Sequence, residues 1–262
     1  MTTMIRAQLI RLLRRKTVVL AALGAVAFAG MAAVTVFGSA KHGGPGLAGR
    51  AVTLETLTGH GGGTQAFATA ASFVGFFIFV TFIALMGSEF SGGTFRALLL
   101  RDPRRLRVLV GHLLGVLVVA AGIAAAAEVL TFVFSIPMAA ARDVPTSEWL
   151  SLTGAGDALR NYVTVMAGVV GWAVFGTTLA VVFRSAPIAL GIGFVWAGPF
   201  EHLVAGAWNA GNRWFPGLVL QSLIAGGTND LALGRAVVTG IVYVAVAAVV
   251  SLSLTATRDV TA

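Results

Sequence analysis

Long stretches without any Asp, Glu, Lys or Arg constrain this chain more than any other feature of its sequence. They occupy positions 17–40, 56–88, 108–127, 161–183, 185–200 and 236–257. A helix needs about 20 residues to cross the hydrocarbon core of a bilayer, and its charged side chains are kept to the two ends. We therefore predict six membrane-spanning helices, near residues 18–37, 67–87, 108–129, 161–183, 186–204 and 234–256.

The composition agrees with an all-α integral membrane protein. Apolar residues make up 57% of the 262 residues and charged residues 11%. A soluble domain has about 25% charged residues. The mean hydropathy of +0.91 excludes a disordered chain and disfavours an ordinary soluble enzyme. The chain has no Cys, which excludes disulfides, thiolate metal sites and a Cys nucleophile. Without an internal repeat or a low-complexity tract, residues 1–262 are predicted to form a single transmembrane domain.

The basic residues predict the orientation of the spans. A net charge of +8 would suggest a nucleic-acid partner in a soluble protein, but here the basic residues flank predicted spans, and no nucleic acid is expected. With a cytoplasmic N-terminus, the cytoplasmic segments hold twelve basic residues and the external segments hold six. Positive charge is enriched on the cytoplasmic side of membrane proteins. We therefore expect a multi-pass protein of the cell membrane with both termini in the cytoplasm.

The end of the third span is ambiguous. Apolar sequence continues from Val108 to Ala141, interrupted only by Glu128, and would make a helix about 50 Å long. Either the helix extends beyond the bilayer, or Pro137 marks a bend into a separate interfacial piece. In both cases Glu128 is expected near the external interface.

Three further segments lie outside the predicted spans. Residues 4–16 have apolar side chains on one helical face, which predicts an amphipathic interface helix, with a simple basic flank of the first span as the alternative. Residues 41–65 are Gly-rich and are interpreted as an external loop. Residues 201–230 are apolar, which predicts short re-entrant or interfacial helices before the last span. Glu201 and His202 open this segment and are interpreted as an interfacial polar pair, with a proton-handling pair as the alternative.

The loop at residues 88–107, between the second and third spans, carries the most distinctive pattern in the chain. A Gly pair before Thr94 permits a tight turn. Thr94 can cap a short helix, and Pro103 ends it. Leu98 and Leu99 are expected to form an apolar tip surrounded by Arg. Such a mixed apolar and basic tip suits docking to a cytoplasmic protein.

Glu89 lies at the cytoplasmic end of the second span, among basic residues. Its carboxylate is expected to pair with an Arg of the same loop, or with Arg11 or Arg15 of the N-terminal helix, and to fix the angle of the short helix. The alternative is a carboxylate solvated at the interface, where an ion pair contributes about 0–1 kcal/mol.

In motif and position, this loop resembles the coupling segment of permease subunits of exporter-type, type-2 ABC transporters. The similarity covers residues 87–107 in motif and the whole chain in topology. The residues that fall on the motif are Glu89, Gly93, Thr94, Arg96, Leu98, Leu99 and Pro103. The resemblance implies that they contact a separate ATPase subunit, which binds ATP and Mg²⁺. It also implies two ATPase subunits, a second permease copy in a homodimer, and neither a cofactor nor a catalytic residue in this chain.

The residues also indicate the energy source and the substrate class. Lys16 and Lys41, the only Lys residues, lie outside any phosphate-binding loop, so this chain cannot hydrolyse ATP by that mechanism. The spans hold few polar residues, so an exporter of this kind is expected to move an apolar or amphipathic substrate such as a lipid, a drug or a lipopeptide. Candidate pathway residues follow helical spacing on the second span: Phe73, Phe76, Phe77, Phe79, Val80 and Phe82.

The alternative function is an intramembrane enzyme, either a protease or a lipid-modifying transferase. Such an enzyme needs polar groups that converge at membrane depth. The candidates are His112, Glu128, Glu201 and His202. His112 lies near the cytoplasmic end of its span and the other three lie near external ends, so we do not expect them to converge. No metal site is predicted.

Overall fold

The computed structural model describes residues 9–40, 52–101, 104–208 and 210–258, and these ranges contain helices and no strand. A five-residue π-helical segment, Trp196–Phe200, joins the helices Ala186–Val195 and Glu201–Ala207. The helices are α1 (Arg15–Ser39), α2 (Leu54–Thr58), α3 (Gly62–Ser91), α4 (Thr94–Arg101), α5 (Arg105–Ala140), α6 (Leu152–Phe183), α7 (Ala186–Val195), α8 (Glu201–Ala207), α9 (Gly211–Trp214), α10 (Pro216–Ile224) and α11 (Leu233–Thr257).

Six helical stretches are long and apolar enough to cross a membrane, and one lies at each predicted position. They are Arg15–Ser39, Gly62–Ser91, Arg105–Ala140, Leu152–Phe183, Ala186–Ala207 and Leu233–Thr257. The prediction of an all-helical, multi-pass membrane protein is therefore confirmed.

Several helices extend beyond the predicted spans, α5 and α6 most of all, because they continue past the charged residues that bounded the apolar windows. The third span was predicted to end near residue 129, but α5 continues to Ala140 as one helix of 36 residues, about 54 Å long. Pro137 lies in the last turn of α5 and does not divide it. The fourth span begins at Leu152 and not near 161. A charged residue limits how deep a helix segment lies in the bilayer, but it does not end the helix.

The N-terminal segment differs from the predicted continuous helix over 4–16. Residues 1–8 lie outside the described part of the chain; residues 9–12 are helical, and the helix is interrupted at 13–14 before α1 begins. The break lets the chain change direction where it enters the first span. Of the predicted external loop at 41–65, residues 41–51 also lie outside the described part.

The core is built around α3 and α6, which pack along most of their lengths. Small residues allow the close approach. A Cβ on Gly176 of α6 would lie 2.9 Å from the Cβ of Phe82 on α3, and one on Gly168 would lie 2.1 Å from Cγ1 of Ile224 on α10. The helix α10 is therefore held tightly against α6. Within the segment before the last span, α10 is largely buried between α3, α6 and α11.

Contacts between remote residues define the two ends of the bundle. At one end Arg11 pairs with Glu89, Nη1 of Arg105 donates to the carbonyl of Arg258 at 2.7 Å, and Nη1 of Arg258 donates to the carbonyl of Val182 at 2.9 Å. We call this the basic end. Its described basic residues are Arg11, Arg14, Arg15, Lys16, Arg104, Arg105, Arg107, Arg184 and Arg258.

At the opposite end, the indole of Trp149 donates to the carbonyl of Leu57 at 2.9 Å, and Nη2 of Arg142 donates to the carbonyl of Gly38 at 3.0 Å. Trp149 also packs against the rings of Phe37 and Phe132. These contacts join the end of α1, α2, α5 and the loop before α6 into a second, smaller core.

Candidate functional site

A partly buried ion pair at the basic end joins the N-terminal segment to the end of α3. Glu89 is 3% exposed, and its Oε1 accepts from Nη1 of Arg11. Its other oxygen, Oε2, has no hydrogen-bond partner among the described residues. His112 of α5 is also buried and interacts electrostatically with both Glu89 and Arg11. The prediction that Glu89 pairs with a basic residue is confirmed, and the structure selects Arg11.

A tight turn after α3 redirects the chain into α4. The N–H of Gly92 donates to the carbonyl of Ser88 at 2.9 Å, and Gly93 adopts a left-handed backbone with φ +68°. Side chains rarely adopt this conformation, so a glycine is favoured there. Helix α4 then begins at Thr94. Pro103 and the side chain of Arg96, which also belong to the predicted motif, lie outside the described residues.

Phe95 anchors α4 to the bundle. Phe95 is buried and packs against Phe90, with ring centroids 4.7 Å apart. Leu98 and Leu99, predicted as an exposed apolar tip, are instead half-buried against the same cluster, while Leu100 is 84% exposed. Helical spacing explains the difference, because positions 95, 98 and 99 share one face and that face is turned inward. This periodicity was present in the sequence and is the signal that the docking interpretation overlooked.

The predicted pathway residues of α3 do not line one enclosed channel. Phe73 and Phe77 are 47% and 65% exposed. Phe76 packs against Phe194 of α7, with ring centroids 5.4 Å apart, and Val80 is half-buried. These four residues form an outward face of α3 within this single chain. Phe79 and Phe82 lie in the core, and Phe79 packs against Trp172.

An apolar cavity of about 460 Å³ lies between α1, α3, α5 and α6, and Phe77 forms part of its wall. Its lining includes Phe28, Phe67, Phe82 and Val116 but no charged side chain. The cavity offers a volume for an apolar group and no partner for an ion. The cavity could not be predicted from the sequence, because its walls come from four helices that are remote in the chain.

The four polar candidates for an intramembrane enzyme lie in separate places. His112 lies beside Glu89 at the basic end. Glu128 lines a different cavity, at the opposite end. His202 is exposed, and its Nδ1 lies 2.8 Å from the carbonyl oxygen of Gly198 in the same helical stretch. Among the described residues, no group of three or more His, Cys, Asp or Glu is placed to hold a metal ion.

Glu201 is fully buried and accepts hydrogen bonds from backbone N–H groups at the start of α10. Its Oε1 accepts from the N–H of Gly217 at 3.2 Å, and its Oε2 accepts from the N–H of Leu218 at 3.2 Å. Pro216 is the first residue of α10 and has no N–H, so the carboxylate satisfies the next two donors of the helix. Glu201 was interpreted as half of an interfacial pair with His202, and this capping contact was missed.

These features define the class: an all-helical, multi-pass membrane protein with a partly buried ion pair and a short surface helix at its basic end. Residues 51–260 match the model of a family described as "Protein of unknown function (DUF2705)", and the chain belongs to that family. No curated protein matches the chain.

The family match corrects the resemblance drawn from the loop motif. No ABC transporter family matches, so the assignment of this chain to the type-2 ABC permeases is wrong. The motif was too short to discriminate. A glycine turn, a helix start, a pair of Leu and flanking Arg are what any short amphipathic helix at a membrane surface requires.

Proposed function

We propose that this chain is the membrane-spanning subunit of a transporter for apolar or amphipathic molecules, powered by a separate cytoplasmic ATPase. The observation that carries the proposal is the partly buried Arg11–Glu89 pair, directly before the turn into α4. The pair ties the N-terminal segment to the last turn of α3, from which the turn into α4 starts. Movement of a partner bound to α4 would then be transmitted to α3.

The exposed part of α4 supports a role in docking. Leu100 is 84% exposed, and it lies on a helix whose other large apolar side chains, Phe95, Leu98 and Leu99, are turned into the bundle. Arg104 and Arg107 follow it and are also exposed. A partner groove with an apolar floor and an acidic rim would complement this surface.

The charge distribution supports an orientation with the basic end in the cytoplasm. Among the described residues of the basic end, Glu89 alone is acidic, whereas Glu55, Glu148, Asp157 and Asp230 belong to the segments of the opposite end. The cytoplasmic flanks of membrane spans are enriched in Lys and Arg. We propose that both termini are cytoplasmic and that the protein lies in the cell membrane.

The energy source is proposed to be another chain. Neither Lys of this sequence lies in a phosphate-binding loop, so ATP and Mg²⁺ would be bound by the ATPase partner. We propose an assembly of two copies of this chain with two ATPase subunits. The outward face of α3 around Phe73 and Phe77 is an apolar surface that a second copy would cover.

The apolar cavity supports the proposed substrate class. A volume of about 460 Å³ without a charged lining accommodates acyl or aromatic groups. An ion or a sugar would lose its hydration there without gaining polar partners. The proposed substrates are accordingly lipids and other molecules with a large apolar part.

Purification of the tagged chain from its native membrane tests this proposal. Native mass spectrometry is expected to find two copies of this chain with two ATPase subunits, and the complex is expected to hydrolyse ATP with Mg²⁺. Leu100→Asp should release the ATPase, because it places a charge in the docking surface. Leu150→Asp is the matched control, since Leu150 is 85% exposed at the opposite end. Retention of the ATPase by Leu100→Asp, or a working particle with one copy of this chain and no second permease-like subunit, would refute the proposal.

A further inference from the structure

A second cavity, of about 450 Å³, lies at the opposite end, between the start of α3, the outer half of α5 and the start of α6. Its volume falls within the range of about 300–1,000 Å³ that is typical of small-molecule sites. Three aromatic side chains form part of the wall: Phe132, Trp149 and Tyr162. The hydroxyl of Tyr162 donates to the carbonyl of Ala121 at 3.0 Å, which holds that ring in place.

Glu128 lines this cavity and has an unsatisfied carboxylate oxygen. The residue is 8% exposed, and its Oε1 has no hydrogen-bond partner among the described residues. Glu89 and Glu201, the other buried glutamates of the described chain, are treated differently. Glu89 has an ionic partner, since Oε1 pairs with Arg11 although Oε2 has no hydrogen-bond partner among the described residues, and Glu201 accepts two backbone N–H groups. A buried carboxylate needs such partners, because the desolvation of a charged group is costly.

The surroundings of Glu128 favour a positively charged ligand. None of the residues that line the cavity is Lys or Arg. His60 lies at the mouth of the cavity, and its Nδ1 already has partners. This atom is 3.0 Å from Oε2 of Glu148 and 3.2 Å from Oγ of Ser151. Aromatic faces attract organic cations, and a carboxylate forms stronger hydrogen bonds with charged donors than with neutral ones.

The cavity is reached from the surface. Leu150 and Leu159 contribute to its lining and are 85% and 64% exposed. Apart from Glu128 and the residues near the mouth, the walls are mainly apolar, which suits a ligand with an apolar body.

We infer that this cavity binds an amphiphilic organic cation, whose ammonium or equivalent group pairs with Glu128 while its apolar body lies against Phe132, Trp149 and Tyr162. The inference concerns binding alone, and it stands whether or not the chain is a transport subunit. The binding site lies at the end of the bundle away from α4 and the Arg11–Glu89 pair.

Two ions of the same shape and opposite charge provide the test: tetraphenylphosphonium and tetraphenylborate. Binding to the purified full chain in a neutral detergent is measured by equilibrium dialysis, with the change in total tryptophan fluorescence as a second measurement. Saturable binding of tetraphenylphosphonium, with tetraphenylborate at least about tenfold weaker, is expected because the carboxylate attracts the cation and repels the anion. Equal or tighter binding of tetraphenylborate, or no saturable binding of the cation, would overturn the inference.

Variants locate the bound cation. Glu128→Gln is expected to weaken tetraphenylphosphonium binding by about tenfold or more, because it keeps the shape and removes the charge. Glu148→Gln removes a charge near the mouth but outside the lining, and should change the affinity less than about twofold because that carboxylate is exposed. Equal affinities of Glu128→Gln and the unaltered chain would overturn the inference.

A third variant keeps the test decisive if Glu128→Gln fails to fold. Ala155 is an exposed lining residue, so Ala155→Trp fills the cavity from its rim without touching the carboxylate. Loss of tetraphenylphosphonium binding in this variant supports the site. Unchanged binding places the cation elsewhere and overturns it.

Discussion

The Arg11–Glu89 pair predicts an asymmetry between the two single substitutions that remove it. The Arg11 side chain is 51% exposed and that of Glu89 is 4% exposed. Glu89→Gln leaves an Arg that water can reach, so it is expected to cost about 0–1 kcal/mol, like an exposed pair. Arg11→Met leaves a buried carboxylate without its cation. Breaking a fully buried pair costs about 3–5 kcal/mol, and we expect about 2–4 kcal/mol here because solvent reaches Arg11.

Unfolding of the full chain in mixed micelles, followed by circular dichroism at helical wavelengths, measures these free energies. The double variant Arg11→Met/Glu89→Gln should be close to Glu89→Gln alone, because it leaves no buried charge. The coupling energy of the cycle should then equal the cost of Arg11→Met in size, about 2–4 kcal/mol. Arg14→Met is the matched control, since Arg14 is exposed on the same segment. Equal costs for the two single variants, or a larger cost for Glu89→Gln, would refute this account of the pair.

Two further predictions concern the opposite end and the orientation. Glu201→Gln keeps one acceptor for the two N–H groups that start α10, so it should lower the free energy of unfolding by about 1–3 kcal/mol, and Glu201→Ala by more. His202→Gln is the control for the exposed neighbour, and unchanged stability of Glu201→Ala would contradict the capping role. The chain has no Cys, so Leu100→Cys and Leu150→Cys each create a single thiol, on side chains that are 84% and 85% exposed. A membrane-impermeant maleimide applied to intact cells should label Leu150→Cys alone, whereas labelling of Leu100→Cys would reverse the proposed orientation.

The positions of the spans could be predicted because the bilayer excludes charge from every helix that crosses it. That constraint acts residue by residue and needs no knowledge of tertiary contacts. The ends of the helices do not follow from it. Helices α5 and α6 extend beyond their apolar windows, since Glu128, Asp157 and Arg160 are compatible with helix outside the hydrocarbon. The sequence therefore predicts where a helix crosses the membrane better than where it ends.

The short helix α4 shows the same division between local and remote information. The turn before α4 and the first residue of the helix could be predicted, because the Gly pair before Thr94 determines the backbone conformation locally. The face of α4 that packs on the bundle is formed by Phe95, Leu98 and Leu99. The sequence already shows these three residues at helical spacing. These three side chains pack on a cluster formed by α3, α5 and α6. No local sequence pattern predicts which helices form that cluster.

Three carboxylates show how much of the candidate sites could be predicted from the sequence. Glu89, Glu128 and Glu201 each bound an apolar window, and only for Glu89, which lies among basic residues, did the sequence predict an ion pair. Their partners are remote or missing: Arg11 is 78 residues from Glu89, and the N–H groups that serve Glu201 are 16 and 17 residues away. Oε1 of Glu128 has no partner in the described chain. The tertiary structure therefore distinguishes an ion pair, a helix cap and a carboxylate without an ionic partner, and the inferred ligand at Glu128 is a cation for that reason.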